Sequence, residues 1–234
     1  MNFPFQIIVS NSYKRKTISL RLMEGILYVR APNYVSYKEI EKIVNLRIKW
    51  INKKIIEEKV FTDKHSINYK NGDIFLFEGK KNKLKVKESL QNKIFISQNI
   101  LNVHTKESYQ DKNKLRNQII NWYFKEASIN INKTVLYYKE LMGVSVNKIK
   151  ISQYKSKWGS CSKSKNLTFD WRIILAPKKV LEYLVVHELS HLNHSNHSIK
   201  FWKHVELYMS DFDFQRKWLT KNSRIILNQF KNIH

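Results

Sequence analysis

The 234-residue sequence holds one cysteine, three prolines and five glycines, and its 19 acidic side chains are fewer than half its 43 basic ones. A lone cysteine, Cys161, excludes an intramolecular disulfide and fits a reducing compartment. So little glycine and proline argues against flexible linkers and low-complexity tracts, and no internal repeat is present. No apolar run reaches the ~18–20 residues a membrane span needs. The first ten residues lack the basic start of a signal peptide, and Pro4 interrupts their short apolar run. The expectation is a cytoplasmic protein with no membrane partner.

Hydrophobic residues at 42% and aromatics at 13% supply ample core. The net charge of +24 is spread along the chain, with 20 basic against 9 acidic residues in the first hundred positions and 23 against 10 in the rest. One block stands out. Residues 144–179 carry nine lysines and arginines against the single acid Asp170. Positive walls of that kind favour anionic substrates such as nucleotides, or contact with nucleic acid. A merely solvated, lysine-rich surface has the same composition.

Taken in order, Ile18–Leu22 alternates strictly and Ile26–Arg30 is β-prone, which predicts a hairpin turning at Met23-Glu24-Gly25. Ser36 and Glu39 form a capping box, with Val35 and Ile40 placed as a hydrophobic staple, at the start of a helix expected to run to about residue 59. Strands follow at 73–77, 83–87, 93–97 and 100–103, then a helical pattern from about 106 to 141 that Gly143 ends. Residues 144–151 read as a strand, 156–163 as a polar loop and 166–175 as a second strand, before Pro177 opens another helix. The reading is an α+β chain: a β-rich domain over 1–105 with one embedded helix, then a helical domain over 106–234 with a small sheet.

That last helix carries His-Glu-x-x-His at His187, Glu188 and His191. Side chains four apart lie about 40° apart around a helix axis and one turn apart along it, so both imidazoles can reach one metal ion. Glu188 is then free to take a proton from a water on the open side, a spacing suited to zinc. Five of the eight histidines fall between 187 and 204. A catalytic zinc needs a third protein ligand. His194 is ~10.5 Å from His187 along an unbroken helix, too far for one tetrahedral centre. The polar run Asn193–Asn196 can end the helix and bring His197 back as the third ligand, with Glu206 as runner-up. A new helix near Ser198 would bury Phe201, Trp202, Val205 and Leu207, leaving His204 outside the ligand set. The aromatics Trp202, Tyr208, Phe212, Phe214 and Trp218 read as core, and Cys161 as a small packed residue.

The runs 156–162, 166–172, 183–192 and Asn196-His-Ser198 with Phe201-Trp202 resemble the YgjP-like metal-dependent hydrolases, which are similar to the SprT-like and WLM zinc metallopeptidases. Residues 27–32 and Trp50-Ile51 extend the resemblance over nearly the whole chain. It implies a zincin-like second domain, His187, His191 and His197 as zinc ligands and Glu188 as the catalytic glutamate. Asp170 departs from the Asn more often found before Trp-Arg. The spacing also equals that of metzincins, but His194 replaces the glycine of that motif, so that clan is not assigned. The leading expectation is a zinc metallopeptidase acting on peptide or protein, with Arg172, Tyr154 or Tyr208 as oxyanion donor. The resemblance also implies pyrophosphatase activity on uridine nucleotides such as UTP, assisted by Mg²⁺ or Mn²⁺. A nucleic-acid-associated protein with structural zinc is the third reading, and the presence of Glu188, which binds no metal, counts against it.

Overall fold

Alternating apolar side chains build the first sheet of this computed structural model, which describes residues 3–23, 25–65, 67–106 and 111–230. Strands β1 (Ile7–Ser12), β2 (Ser19–Met23) and β3 (Ile26–Pro32) lie in the order β1-β3-β2. β2 and β3 form the expected antiparallel hairpin, and β1 runs parallel to β3. Glu24 of its expected turn lies outside the described residues. The register puts Ile7, Leu27 and Leu22 in one row and Val9, Val29 and Leu20 in another. That face packs on Ile40, Val44 and Ile51. The capping box forms as expected, with Ser36 Oγ accepting from the Glu39 N–H at 3.3 Å and the Glu39 carboxylate from the Ser36 N–H at 2.7 Å.

The single helix expected from there to about residue 59 is two, α1 (Tyr37–Leu46) and α2 (Ile48–His65). Arg47 leaves helical geometry at φ −104° and ψ 5°. The break turns Ile51 of α2 into the same core that α1 fills with Ile40 and Val44. By packing, these elements close a first unit, Met1–Ser66, and the remainder forms a second, Ile67–His234. The sequence alone places the boundary at 105 instead. The strands between 67 and 105 share their core with later elements: Phe75, Leu84, Leu101 and Val103 belong to one cluster with Tyr123 and Trp171.

Those strands are β4 (Ile74–Phe77), β5 (Lys80–Glu88), β6 (Lys93–Ser97) and β7 (Ile100–Thr105), in the order β4-β5-β7-β6. Their hairpins turn on Glu78-Gly79 and Gln98-Asn99, with φ of 48°, 78°, 51° and 58°. Paired positive φ values are the two-residue turn that matches strand twist. Helix α3 (Lys112–Leu141) comes next, residues 107–110 of the expected helical stretch lying outside the described residues. Its buried stripe is Leu115, Ile119, Tyr123, Ala127, Ile131, Val135 and Tyr138. Gly143, at φ 62°, ends it, with the Gly143 and Val144 N–H groups donating to the Glu140 and Lys139 carbonyls at 3.1 and 3.0 Å.

The third sheet is β8 (Lys148–Ser152), β9 (Gly159–Cys161) and β10 (Asn166–Asp170), in the order β8-β10-β9. Two expectations change here. The polar loop at 156–163 contains strand β9, and the strand expected to reach Leu175 stops at Asp170. Asp170 accepts from the Arg172 N–H at 2.9 Å and starts the 3₁₀ turn Trp171–Leu175, all five residues of which are buried. Helices α4 (Lys178–Ser190), α5 (Ile199–Tyr208) and α6 (Phe212–Asn228) complete an α+β fold. Leu207 and Phe214, expected inside, are 73% and 68% exposed. No helix among the described residues is long and apolar enough to cross a membrane.

Candidate metal centre

Helix α4 is apolar over most of its circumference: Val180, Leu181, Tyr183, Leu184, Val185, Val186 and Leu189 are all buried. A helix gripped on so many sides holds its last turn rigidly. His187 lies in that turn and His191 is the capping residue just past it, still near helical geometry at φ −66° and ψ −16°. Their rings are 5.0 Å apart. The helix ends three residues before the expected break at 193–196, and the chain turns through residues 191–193. That turn brings His197 Nε2 to 3.0 Å from His187 Nε2. One nitrogen from each of His187, His191 and His197 lies within 4.8 Å of the others. Phe201 forms a shared floor, its ring 4.6–5.0 Å from all three imidazoles.

His194 takes part through its backbone. His191 Nδ1 lies 3.0 Å from the His194 carbonyl, which accepts only if Nδ1 carries the proton. That bond sets the tautomer and leaves Nε2 of His191 facing the cluster. The His194 ring turns away to pack on His204 at 5.2 Å, and His204 on Tyr208 at 5.3 Å. Glu206 is exposed on α5 and does not belong to the cluster.

Burial, with the neighbouring His191, His197 and Arg216, pushes His187 down to about 3. Burial likewise lowers His191. Both are free bases at neutral pH, the form that ligates metal. Burial acts in the opposite direction on Glu188, which is 5% exposed: its carboxyl is pushed up to about 8, with Lys157 working against the shift. The carboxyl is pressed against β9, where a Cβ built on Gly159 would lie 2.5 Å from Glu188 Oε1. His187 and Glu188 open into a cleft of about 530 Å³ whose other walls include Lys157, Trp158, Tyr183 and Arg216.

A three-imidazole cluster with a buried carboxyl beside it is a metallohydrolase arrangement, and the sequence as a whole agrees. A family model described as a YgjP-like metallopeptidase domain matches residues 16–222. The chain belongs to the YgjP-like family. No curated protein matches it. Among solved structures it is similar to the metallopeptidase zymogen abylysin of Pyrococcus abyssi, at 23% identity over 39% of this chain and 93% of that one, with a TM-score of 0.35. It is also similar to the metallopeptidase zymogen jannalysin of Methanocaldococcus jannaschii, at 26% identity over 39% of this chain and 95% of that one, with a TM-score of 0.36.

In this YgjP-like chain the residues suggested for an oxyanion lie elsewhere. Arg172 is 6% exposed and bound to Asp170 through Nε at 2.8 Å and Nη2 at 2.5 Å, and to the Tyr154 carbonyl. Tyr154 shares a hydrogen bond with Ser160 Oγ at 2.7 Å, and Tyr208 packs edge-on against His204. None of the three lines the cleft. Asp170 is the buried anchor of that network, which accounts for a carboxylate at this position. Nor can β10 pair with a substrate, since β8 and β9 flank it; the edge strand beside Glu188 is β9. Cys161 sits half-buried in β9 with its thiol pushed up by burial. Sequence reasoning missed Arg216 and the close approach of Gly159 to Glu188, because each arises only through tertiary packing.

Proposed function

We propose that this YgjP-like protein is a zinc-dependent peptidase in which His187, His191 and His197 hold the metal and Glu188 is the general base. The observation that carries it is the cluster itself: three imidazole nitrogens within 4.8 Å, one fixed in tautomer, beside a buried carboxyl. An all-imidazole donor set suits zinc better than Mg²⁺ or Mn²⁺, which favour oxygen ligands. Zinc bound there would supply a Lewis acid that acidifies water and polarises a carbonyl. Glu188 takes the water's proton on a carboxylate oxygen, holds it in a site screened from solvent, and delivers it to the leaving amine. The outer edge of β9 has no strand neighbour among the described residues and runs past Glu188, so an extended peptide can pair there. A buried carboxyl with a raised pKa costs stability, which supports a chemical role over a purely structural metal site.

The test joins metal analysis of the purified chain to assays of the wild type and Glu188→Gln on an unfolded protein. About one zinc per chain and a loss of at least 10²-fold in cleavage are expected. Absence of zinc, or full activity in the variant, would sink the reading. A second reading, hydrolysis of a nucleoside triphosphate such as UTP at the same centre with Mg²⁺ or Mn²⁺ assisting, draws on Lys157 and Arg216 in the cleft. Pyrophosphate release from UTP without proteolysis would put it first.

A further inference from the structure

Resting on the peptidase reading, we propose that the cleft beside Glu188 is a carboxylate-recognition subsite. In it Arg216 and Lys157 select peptides with an acidic side chain, or a free C-terminal carboxylate, next to the scissile bond.

Arg216 reaches the cleft from α6 as a held side chain. Its guanidinium lies 4.7 Å over the Trp202 ring, and its Nη2 donates to Asp213 Oδ1 at 2.8 Å. Trp202 is itself stacked, on Phe212 at 5.4 Å and on His197 at 5.6 Å. The cation is therefore tied by one aromatic column to an imidazole of the cluster. Little rotamer entropy remains to be lost when a ligand arrives, which is what makes an arginine fork selective. The bond to Asp213 uses one of five guanidinium N–H groups.

Charge on this side of the cleft is not balanced. Asp213 also accepts Lys217 Nζ at 2.5 Å, so one carboxylate faces two cations. On the facing wall Lys157 lies 4.5 Å over the Tyr154 ring. Glu188 is the one acid among the described lining residues; Trp158, Tyr183, Leu184 and Leu219 supply apolar wall that strengthens an ion pair, and Thr220 and Ser223 add uncharged hydroxyls. The surplus suits a single carboxylate. A nucleoside triphosphate would bring about four negative charges to walls that offer two cations.

The test uses the full zinc-loaded chain and three matched fluorescent peptides: C-terminally amidated with Glu beside the cleavage position, the same with Gln, and the Gln peptide with a free C-terminus next to that position. Binding is read by anisotropy on Glu188→Gln and cleavage on the wild type. The Glu peptide or the free-carboxylate peptide should bind at least tenfold tighter than the amidated Gln peptide, and which of them does so identifies the source of the carboxylate. The preference should vanish when Arg216→Gln or Lys157→Gln is added, and with Arg216→Glu the Glu peptide should bind more weakly than the amidated Gln peptide. Thermal melts check that each variant folds. Equal binding of all three peptides overturns the subsite, as does UTP binding tighter than either carboxylate peptide. A carboxylate preference without cleavage of any peptide keeps the subsite and removes the peptidase reading.

Discussion

A methyl group on Gly159 would lie 2.5 Å from Glu188 Oε1 and 2.8 Å from its Cδ, inside any tolerable non-bonded distance. Gly159→Ala must therefore move the carboxyl and leave the imidazoles, which rest on Phe201, where they are. A misplacement of ~1 Å costs on the order of 10²-fold in rate. Zinc content should stay at the wild-type value in the same samples, and a loss of zinc would show that the contact is merely structural. Asp170 supports a second prediction. Its carboxylate is fully buried and accepts from the backbone N–H groups of Tyr154 and Arg172 as well as the Arg172 guanidinium. Asp170→Asn leaves that guanidinium without its charge partner and should cost about 3 kcal/mol in chemical denaturation. At this scale the sequence was informative wherever the candidate site rests on local geometry. His187, His191 and His197 could be read because a helical turn and one chain reversal bring them together. Arg216 could not, since nothing near it in the chain points to His187; Gly159 lies in the 156–162 run that carries the family resemblance, but its contact with Glu188 is made only by tertiary packing.

Among elements, the informative cases are those where local preference and packing disagree. Residues 171–175, Trp-Arg-Ile-Ile-Leu, are β-prone, yet Asp170 caps them into a 3₁₀ turn whose side chains are all buried. β9 has three residues of weak strand preference, and it is a strand because β10 offers it an edge. Neither Gly nor Pro marks the break at Arg47, so it left no trace in the sequence. The hairpins and the Gly143 helix end were legible because turn chemistry is local. One hairpin is coupled to the start of α4: the Glu78 and Gly79 N–H groups donate to the Ile174 and Leu175 carbonyls, and a Cβ on Gly79 would meet Pro177 Cγ at 2.7 Å. Gly72, at φ 92°, has open space around it. Gly72→Ala should cost about 1 kcal/mol from conformation alone. Gly79→Ala adds a clash and should cost roughly 2–4 kcal/mol. Equal losses in paired melts would show that the tip does not dock on α4.

Across the whole molecule, two separate cores predict two calorimetric transitions, of which only that of residues 67–234 responds to metal. Zinc at about 100 times its Kd adds roughly 2.7 kcal/mol, or roughly 5–10 °C for a unit of this size. In the chelated protein two shifts of opposite sign shape the pH dependence. His187 is held down at about 3 against an ordinary 6.5, so the unfolded chain binds its proton first as pH falls. The stability this gives is complete above 6.5 and drains away toward pH 3. Glu188 is pushed up to about 8 against an ordinary 4.5, so the unfolded chain gives up its proton first as pH rises. Its contribution is complete below 4.5 and is lost by pH 8. The metal-free transition should therefore peak at about pH 5–6 and fall on both sides. Glu188→Gln removes the alkaline limb alone, making the variant more stable than the wild type at pH 8 by on the order of 3 kcal/mol, while the acid limb stays. Chelated wild type and variant melting alike at pH 8 would mean that Glu188 is not held protonated by burial. The same burial raises the proton affinity of the carboxyl and leaves it largely protonated at neutral pH in the chelated protein, so the base role proposed for Glu188 requires the positive charge of a metal held by His187, His191 and His197 to draw that proton off.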